Sequence, residues 1–327
     1  MNDRALRVLE QYDLEVSSMR RGRGSYILET DRGLLSFCDY TGSEKRAQFQ
    51  NRVMEQIRSG KYKHVDMILP NKEGLLVSRD WEEQGYVVKE WYVGRECDSA
   101  NENEILSAVR NLARLHTVML VKGEPELEKS FQAPAPLDEI RSRNQELKKV
   151  RTFLCRKNTK CDFERLLLRS FPAYFEQAQE VQYQLEQNGC ERLVRSSREK
   201  GSICHGDYDY HHVILVGQEM ATIGFERCRY DLQVNDLYRY MRKILEKHDW
   251  DIRLGMRMME QYTQIRSISG EEHRLLYLRM LYPEKFRKLA NSYLSSNKAW
   301  ISRRFLDKLQ MQNRQQEARK RFVETLK

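Results

Sequence analysis

The spacing of hydrophobic residues changes near residue 100, and this change predicts two regions of different secondary structure. Before it, short apolar stretches at Ser25–Thr30 and Leu34–Asp39 are joined by a glycine-containing turn, which predicts a β-hairpin. Ser43–Ser59 has an apolar face at helical spacing and Ser43 as a candidate N-cap, so a helix is predicted there. Three further strands are predicted at Val65–Leu69, Leu75–Arg79 and Tyr86–Trp91.

The rest of the chain is predicted to be mostly helical. Apolar residues of Glu102–His116 share one helical face, and prolines 125, 134 and 136 predict a loop after it. Further helices are predicted at Leu137–Arg156, Phe163–Gln187, Leu232–Lys247, Ile252–Gln264, Glu271–Leu281, Glu284–Ser295 and Ser302–Thr325. A β-rich segment, Ser202–Glu226, interrupts them. The predicted fold class is therefore α+β.

Length and composition narrow the class of protein. The 327 residues are 40% hydrophobic and 32% charged, which suits one large or two modest globular domains. No run of 18 apolar residues occurs, so we expect no membrane insertion. Met1–Tyr12 carries charges throughout, and we expect cytoplasmic synthesis without a signal peptide. Seven cysteines without a C-x-x-C pair indicate neither a zinc site nor a disulfide framework.

The net charge of +9 raises the question of an anionic partner. Lys and Arg are spread along the whole chain and interleaved with Glu, and the densest basic stretch is Arg314–Arg321. A solvated helix face is the favoured interpretation of that stretch, and a binding patch is the alternative. Because aromatic and basic residues do not interleave as in a stacking platform, no specific nucleic acid is expected, and an acidic-polymer binder ranks last.

The β-rich segment carries the candidate chemistry. Ile203–Leu215 reads ICHGDYDYHHVIL, a polar loop between two short strands, and Thr222–Glu226 is predicted as a further strand that ends in an acid. Asp207 is a candidate general base, and His211 and His212 are candidate ligands or acid–base groups. From the residues alone, a turn-capping carboxylate and surface histidines are the favoured interpretation.

The same segment resembles the catalytic signature of aminoglycoside phosphotransferase-like kinases, H-G-D-x-x-x-x-N followed by an I-D-F-D strand. The chain resembles the CotS family of spore coat proteins more closely, through Tyr40–Arg46, Arg227–Lys247 and Tyr282–Lys298. This resemblance implies a two-lobed protein kinase-like fold. A small β-sheet lobe would span residues 1–92, and a large, mainly helical lobe would span residues 93–327, with the catalytic-loop-like β segment at 202–226.

The resemblance also assigns roles to single residues. Asp207 takes the general-base position, His205 precedes it in the motif, and Asp236 matches an acid that braces the catalytic loop. The linker between the lobes, Val87–Tyr92, would hold a nucleotide. Its nucleotide-binding candidates are Val88, Lys89 and Trp91, with lobe packing favoured for the tryptophan.

Several positions depart from the kinase pattern. Cys38 stands in place of the lysine that holds nucleotide phosphates, and His212 in place of a metal-binding asparagine. Gly224 stands in place of the first metal acid, whereas Glu226 keeps a carboxylate at the second. Neutral imidazole is a poor magnesium ligand, so Glu226 and His212 form at best a weak metal site. Lys45 and Lys89 are the candidate substitutes for the missing lysine.

These departures predict a pseudokinase that serves as a structural or assembly component of the endospore coat. Other spore coat proteins are its expected partners, the spore coat its expected location, and no cofactor is expected. Whether the protein is an enzyme stays open. The alternative is an active kinase that transfers phosphate from ATP to a small-molecule or sugar hydroxyl, for which ATP and Mg²⁺ would be required.

Overall fold

The N-terminal part of the chain forms an antiparallel sheet and one long helix. A computed structural model describes residues 7–123, 125–295 and 303–327. The strands are β1 (Val16–Arg21), β2 (Tyr26–Thr30), β3 (Gly33–Asp39), β4 (Ile68–Leu69), β5 (Ser78–Arg79) and β6 (Gly85–Glu90), and the helix is α1 (Glu44–Ser59). The strand order is β1-β2-β3-β6-β4, and β5 also pairs with β6. The hydroxyl of Ser43 accepts the Arg46 amide at 3.2 Å, so Ser43 caps α1 as predicted.

The pairing of β3 with β6 decides which side chains face α1. Phe37 and Val88 pack in one cluster, whereas Val87 packs in a separate cluster that includes α1. Side chains alternate between the two faces of a sheet. Cys38 lies opposite Val87, and Lys89 lies two residues further along β6, so both belong to the face that α1 covers.

Strand β1 was not predicted. All of its side chains are exposed or half-buried, and it lies at the sheet edge, paired only with β2 among the described strands. A strand that buries neither face lacks the alternation of apolar and polar residues by which strands are recognised in a sequence.

The chain leaves the small sheet after β6 and enters a larger, mainly helical part. β7 (Arg95–Glu96) pairs with β9, in a three-stranded sheet of order β10-β9-β7. The remaining elements are α2 (Glu102–Val118), α3 (Pro125–Ser130), α4 (Pro136–Arg156), α5 (Asp162–Gln187), α6 (Glu191–Lys200), β8 (Ile203–Cys204), β9 (Val213–Val216), β10 (Glu219–Thr222), β11 (Arg229–Tyr230), α7 (Val234–Leu245), α8 (Ile252–Thr263), α9 (Gly270–Leu281), α10 (Glu284–Ser295), α11 (Arg303–Arg314) and α12 (Gln316–Glu324). The α+β class is confirmed.

The structure corrects three local predictions. Helices α3 and α6 lie where no helix was predicted. The strand predicted at Thr222–Glu226 ends at Thr222, because Gly224 has φ +84° and the chain then forms a 3₁₀ helix, Phe225–Arg227. The terminal helix predicted at Ser302–Thr325 is two helices, α11 and α12, and Ser302 lies outside the described residues.

One hydrophobic core joins the two parts. It contains Val53 of α1, Leu112 of α2, Tyr208 of the loop after β8 and Phe322 of α12. The basic stretch at the C-terminus is partly buried here, since the Arg319 guanidinium donates to the carbonyl oxygens of residues 280–282 at the end of α9. The predicted solvated face therefore applies only to the other charged residues of this stretch.

Within residues 7–123, 125–295 and 303–327, none of the helices combines the length and apolar character that spanning a membrane requires.

Candidate functional site

A buried carboxylate shapes the loop that follows β8. Asp236, in the first turn of α7, accepts the amides of His205 at 2.6 Å and Gly206 at 3.0 Å. Burial would raise the pKa of Asp236, but the hydrogen bond from His116 and nearby positive charge lower it to about 2. Gly206 has φ +82°, and a Cβ atom there would lie 2.1 Å from the carbonyl oxygen of Arg227. The ionised Asp236 therefore fixes the backbone of this loop through two hydrogen bonds.

His205 holds the loop from inside and remains neutral. Its Nε2–H donates to the Ile223 carbonyl at 2.9 Å, and its Nδ1 accepts the Asp207 amide at 3.2 Å. Burial is the larger cause and the neighbouring His212 the second, and together they lower the pKa of His205 to about 4. A neutral, fully bonded imidazole positions Asp207 and does not itself exchange protons near pH 7.

Asp207 is partly exposed and contacts cations of the protein. Its carboxylate is 25% exposed and lies 3.4 Å from Arg239 Nη1, 3.6 Å from Arg227 Nη1 and 3.8 Å from Lys243 Nζ. A general base must reach a substrate hydroxyl with a free oxygen lone pair. Here three cationic side chains compete with a substrate hydroxyl for the oxygens of Asp207.

Asp209 and His212, in the same loop, pair with each other. His212 Nδ1 lies 2.9 Å from Asp209 Oδ1, and Lys243 contacts the other oxygen of the same carboxylate. Burial opposes ionisation of both groups. However, Asp209 raises the pKa of His212 above its usual value, and His212 and Lys243 lower that of Asp209. At the position of a metal-binding asparagine, the imidazole of His212 is therefore engaged by a carboxylate of the protein.

The imidazole of His212 also fills the space next to Gly224. A Cβ atom at residue 224 would lie 2.3 Å from His212 Cδ2, so an aspartate cannot be added there while His212 keeps its place. The two departures from the kinase pattern are therefore coupled sterically. One aromatic ring occupies the volume of the missing metal acid.

Lys89 is buried next to Glu226, the residue that the resemblance to kinases assigns to a metal. Its Nζ lies 3.3 Å from Asp66 Oδ2 and contacts the Glu226 carboxylate directly. The side chains of Lys89 and Asp66 are 4% and 3% exposed, whereas that of Glu226 is 41% exposed. Asp66 Oδ2 also accepts the amide of Gly224 at 2.9 Å.

Lys89, Asp66 and Glu226 form a charged triad in which the pKa of each group depends on the charge of at least one of the others. Burial would lower the pKa of Lys89, but Asp66 and Glu226 raise it far above its ordinary value. Burial would raise the pKa of Glu226, but Lys89 lowers it to about 2. Burial raises the pKa of Asp66, and Lys89 opposes that rise. Lys89 is therefore a permanent cation that neutralises the one retained metal-site carboxylate.

Cys38 lies beside this triad on the same face of the sheet. Burial raises the pKa of its thiol to about 11, although the charge of Lys89 acts in the opposite direction, so the thiol is protonated at neutral pH. The sequence indicated correctly that β3 offers no cation. The structure shows that the neighbouring strand β6 supplies one, in a buried ion pair.

A second cation fastens α1 to the 3₁₀ helix Phe225–Arg227. Arg46 donates through Nε and Nη2 to the carbonyl of Glu226, at 3.0 and 2.7 Å, and through Nη2 to the carbonyl of Cys228. These bonds connect the small sheet region with the loop that carries Glu226. Lys45, the other candidate substitute, reaches Ser130 at 3.4 Å instead.

The linker candidates separate into two groups. Val88 lies within β6, where it pairs with Phe37 and Leu69, and its buried side chain is on the face opposite Lys89. Its nucleotide-binding role stays a prediction. Trp91 follows β6 and packs against a small cluster that includes Ile214, in line with the favoured packing role.

The donor set does not fit magnesium. In the described part of the chain, no three His, Cys, Asp or Glu residues are grouped so that they could hold a metal ion. Glu226 is engaged by Lys89, His212 by Asp209, and residue 224 has no side chain. No step of a reaction is therefore derived through a metal at this site.

Sequence reasoning did not identify Asp66, Arg46, Asp209, Arg239 and Lys243 as parts of the site. Arg46 stands in the stretch Tyr40–Arg46 and Arg239 and Lys243 in the stretch Arg227–Lys247, both of which carried the family resemblance, and that was a usable signal. Asp66 precedes a two-residue strand and carries no recognisable motif.

Known structures share this architecture. An aminoglycoside phosphotransferase from Alicyclobacillus acidocaldarius superposes with a TM-score of 0.84 at 18% identity, over 98% of this chain and 94% of that chain. A spectinomycin phosphotransferase in complex with ADP and spectinomycin gives 0.61 at 10% identity, over 98% and 92%. The choline kinase LicA from Streptococcus pneumoniae gives 0.51 at 13% identity, over 96% of each chain. At such identities the likeness shows the fold alone.

Sequence comparison adds the family. The family described as "Spore coat putative kinase YutH" matches residues 6–326. The endospore coat-associated protein YutH of Bacillus subtilis strain 168 is 26% identical over 145 residues, which cover 42% of this chain and 40% of that relative. The predicted resemblance to spore coat proteins with an aminoglycoside phosphotransferase-like fold is confirmed, and the chain belongs to the YutH family of spore coat proteins.

Proposed function

We propose that this protein is a pseudokinase that acts as a structural or assembly component of the endospore coat. The observation that carries the proposal is the ion pair of the buried Lys89 with Glu226, together with the His212 ring beside Gly224. Phosphoryl transfer relies on cations that hold phosphates and on acids that hold magnesium. In this cleft the cation and the acid neutralise each other.

The contacts of Lys89 and Arg46 with the Glu226 loop connect the two parts of the protein. Lys89 joins β6 to the Glu226 loop, and Arg46 joins α1 to the same loop. Both contacts tie the small sheet region to the larger part without any ligand. Such a cleft favours one fixed arrangement, which suits a component that offers constant surfaces to other coat proteins.

The proposal is tested first by nucleotide binding. A ligand at about 100 Kd stabilises the native state by about 2.7 kcal/mol, which for 327 residues raises Tm by about 4 °C. We expect no magnesium-dependent rise in Tm with ATP, and no phosphate transfer to sugars or amino alcohols. A magnesium-dependent rise, or ATP turnover that Asp207→Asn abolishes, would establish the active kinase instead.

The coat assignment is tested separately in sporulating cells. A fluorescent fusion is expected to collect at the spore surface, and the Asp207→Asn variant is expected to collect there equally well, because assembly does not use catalysis. A fusion that stays in the mother-cell cytoplasm would reject the coat role. If the parent fusion collects at the spore surface and the Asp207→Asn fusion does not, the non-catalytic interpretation is rejected.

A further inference from the structure

A concave groove is lined by four cationic side chains. It lies between the segment after α1, the helix α2 and the β9–β10 turn, and encloses about 500 Å³. Lys61 and Lys63 line one side, and Arg110 and Arg114 of α2 line another. No residue of the Lys89–Glu226 cleft lines it, so binding in this groove does not depend on the proposed function.

In the part of the chain that the structure describes, the four cations of this groove outnumber its acid, Glu219. Elsewhere, arginines commonly pair with acids, as Arg95 does with Glu104 and Arg287 with Glu146. Among the described residues, however, no carboxylate forms an ion pair with Lys61, Lys63, Arg110 or Arg114, whose polar contacts include Arg110 with Gln261 and Ser107.

The acid that lines the groove is already engaged. Glu219 lies 3.0 Å from Nδ1 of His64, another residue of the lining. Arg110 and Arg114 stand four residues apart on α2, where like charges repel. The groove therefore retains a surplus of positive charge that costs the free protein stability.

The segment that carries the two lysines is held in a defined conformation. The hydroxyl of Tyr62 bonds Asn111 Oδ1 at 2.9 Å and Thr222 Oγ1 at 2.6 Å, which anchors the segment to α2 and β10. Lys61 has φ +67°, the left-handed conformation that glycine usually adopts after a helix. Since backbone strain of this kind is often retained at binding sites, the lysine here points to a binding role.

We propose that this groove binds an acidic polypeptide segment, rich in Asp and Glu, of another protein. Carboxylates match the ammonium and guanidinium groups of the lining, and the arginine fork can bind a carboxylate through two hydrogen bonds. A nucleic acid is the weaker candidate, because the rings of the lining are tied to protein groups, Tyr62 through its hydroxyl to Asn111 and His64 through Nδ1 to Glu219, and do not form an open stacking platform.

The test uses the full-length protein and a fluorescein-labelled deca-glutamate peptide, with binding measured by fluorescence anisotropy at low and moderate salt. We expect binding that weakens as salt rises, because exposed charges are screened. The double variant Lys61→Gln/Lys63→Gln is expected to weaken binding about tenfold, since each exposed cation contributes a few-fold. Both lysines are exposed, so the fold should survive, which an unchanged Tm would show.

A matched control removes the same charge elsewhere. Lys129→Gln/Lys149→Gln changes two exposed lysines that do not line the groove, and its affinity should stay within about twofold of the parent. Equal loss in both double variants, or no binding by the parent protein, would overturn the proposal. Tighter, lysine-dependent binding of a single-stranded oligonucleotide or a phosphopeptide than of the deca-glutamate would overturn the choice of partner.

Discussion

Replacing Lys89 by methionine tests whether the buried ion pair holds the cleft together. The change keeps most of the side-chain volume but leaves Asp66, which is 3% exposed, without its counter-ion. Removing one partner of a buried pair costs about 3–5 kcal/mol. Because Glu226 is 41% exposed and can be hydrated, we expect the lower end, about 3 kcal/mol.

This loss can be measured by thermal and chemical unfolding. With an unfolding entropy of about 2.1 cal/mol/K per residue, 327 residues lose about 1.5 °C in Tm for each kcal/mol, so Lys89→Met should unfold about 4–5 °C lower. Burial already raises the pKa of Asp66, and loss of Lys89 raises it further. Protonated Asp66 needs no counter-ion, so the deficit should be larger at pH 8 than at pH 5.

Two further variants make the result specific. Adding Asp66→Asn to Lys89→Met removes the stranded carboxylate and should recover at least half of the loss. Lys45→Met removes an exposed lysine and should change stability by less than about 0.5 kcal/mol. A cost below about 1 kcal/mol for Lys89→Met, or no recovery in the double variant, would refute the assignment of a buried, charged triad.

Other parts of the site give equally direct predictions. Gly224→Asp should destabilise the protein by more than about 2 kcal/mol in urea unfolding, because residue 224 has a positive φ and the new side chain clashes with His212. Adding His212→Asn to this variant should recover part of the loss. No recovery would contradict the steric coupling. By NMR titration, His205 should titrate near pH 4 and His212 above 6.5. His205 therefore contributes stability above pH 6.5 that is lost as the pH falls toward 4. His212 contributes stability below pH 6.5 that is lost as the pH rises through its raised pKa. The reverse order of titration would contradict the assignment. Arg46→Ala should lower the free energy of unfolding by about 1.5–3 kcal/mol and speed amide hydrogen exchange around the 3₁₀ helix Phe225–Arg227. Arg52→Ala, on the exposed side of α1, should do neither. Equal effects of the two variants would contradict the role of Arg46 in joining α1 to the 3₁₀ helix.

Much of the fold can be predicted from apolar periodicity. Helix α2 and the hairpin of β2 and β3 were predicted within two residues, because each buries one continuous face. Strand β1 was missed because it buries neither face, and α3 was missed because prolines were taken as loop signals although Pro125 begins this helix. Such positions depend on neighbours that are distant in the sequence.

The candidate site was predictable only where a motif carries it. Asp207 and the departures at Cys38, His212 and Gly224 follow from the resemblance to kinases. The role of Lys89 does not, because a lysine inside a strand reveals neither its face nor its partners. Only the register of β6 against β3 shows that it shares a face with Cys38, and only the tertiary fold brings it to Glu226.

The interlocking of His212 with Gly224 has an evolutionary consequence. A lineage that carries both residues cannot regain the metal acid in a single substitution, because any side chain at residue 224 meets the imidazole first, at a backbone φ that favours glycine. A carboxylate at residue 224 therefore requires that residue 212 change first or at the same time. The two positions are separated by eleven residues in the sequence but evolve as one steric unit.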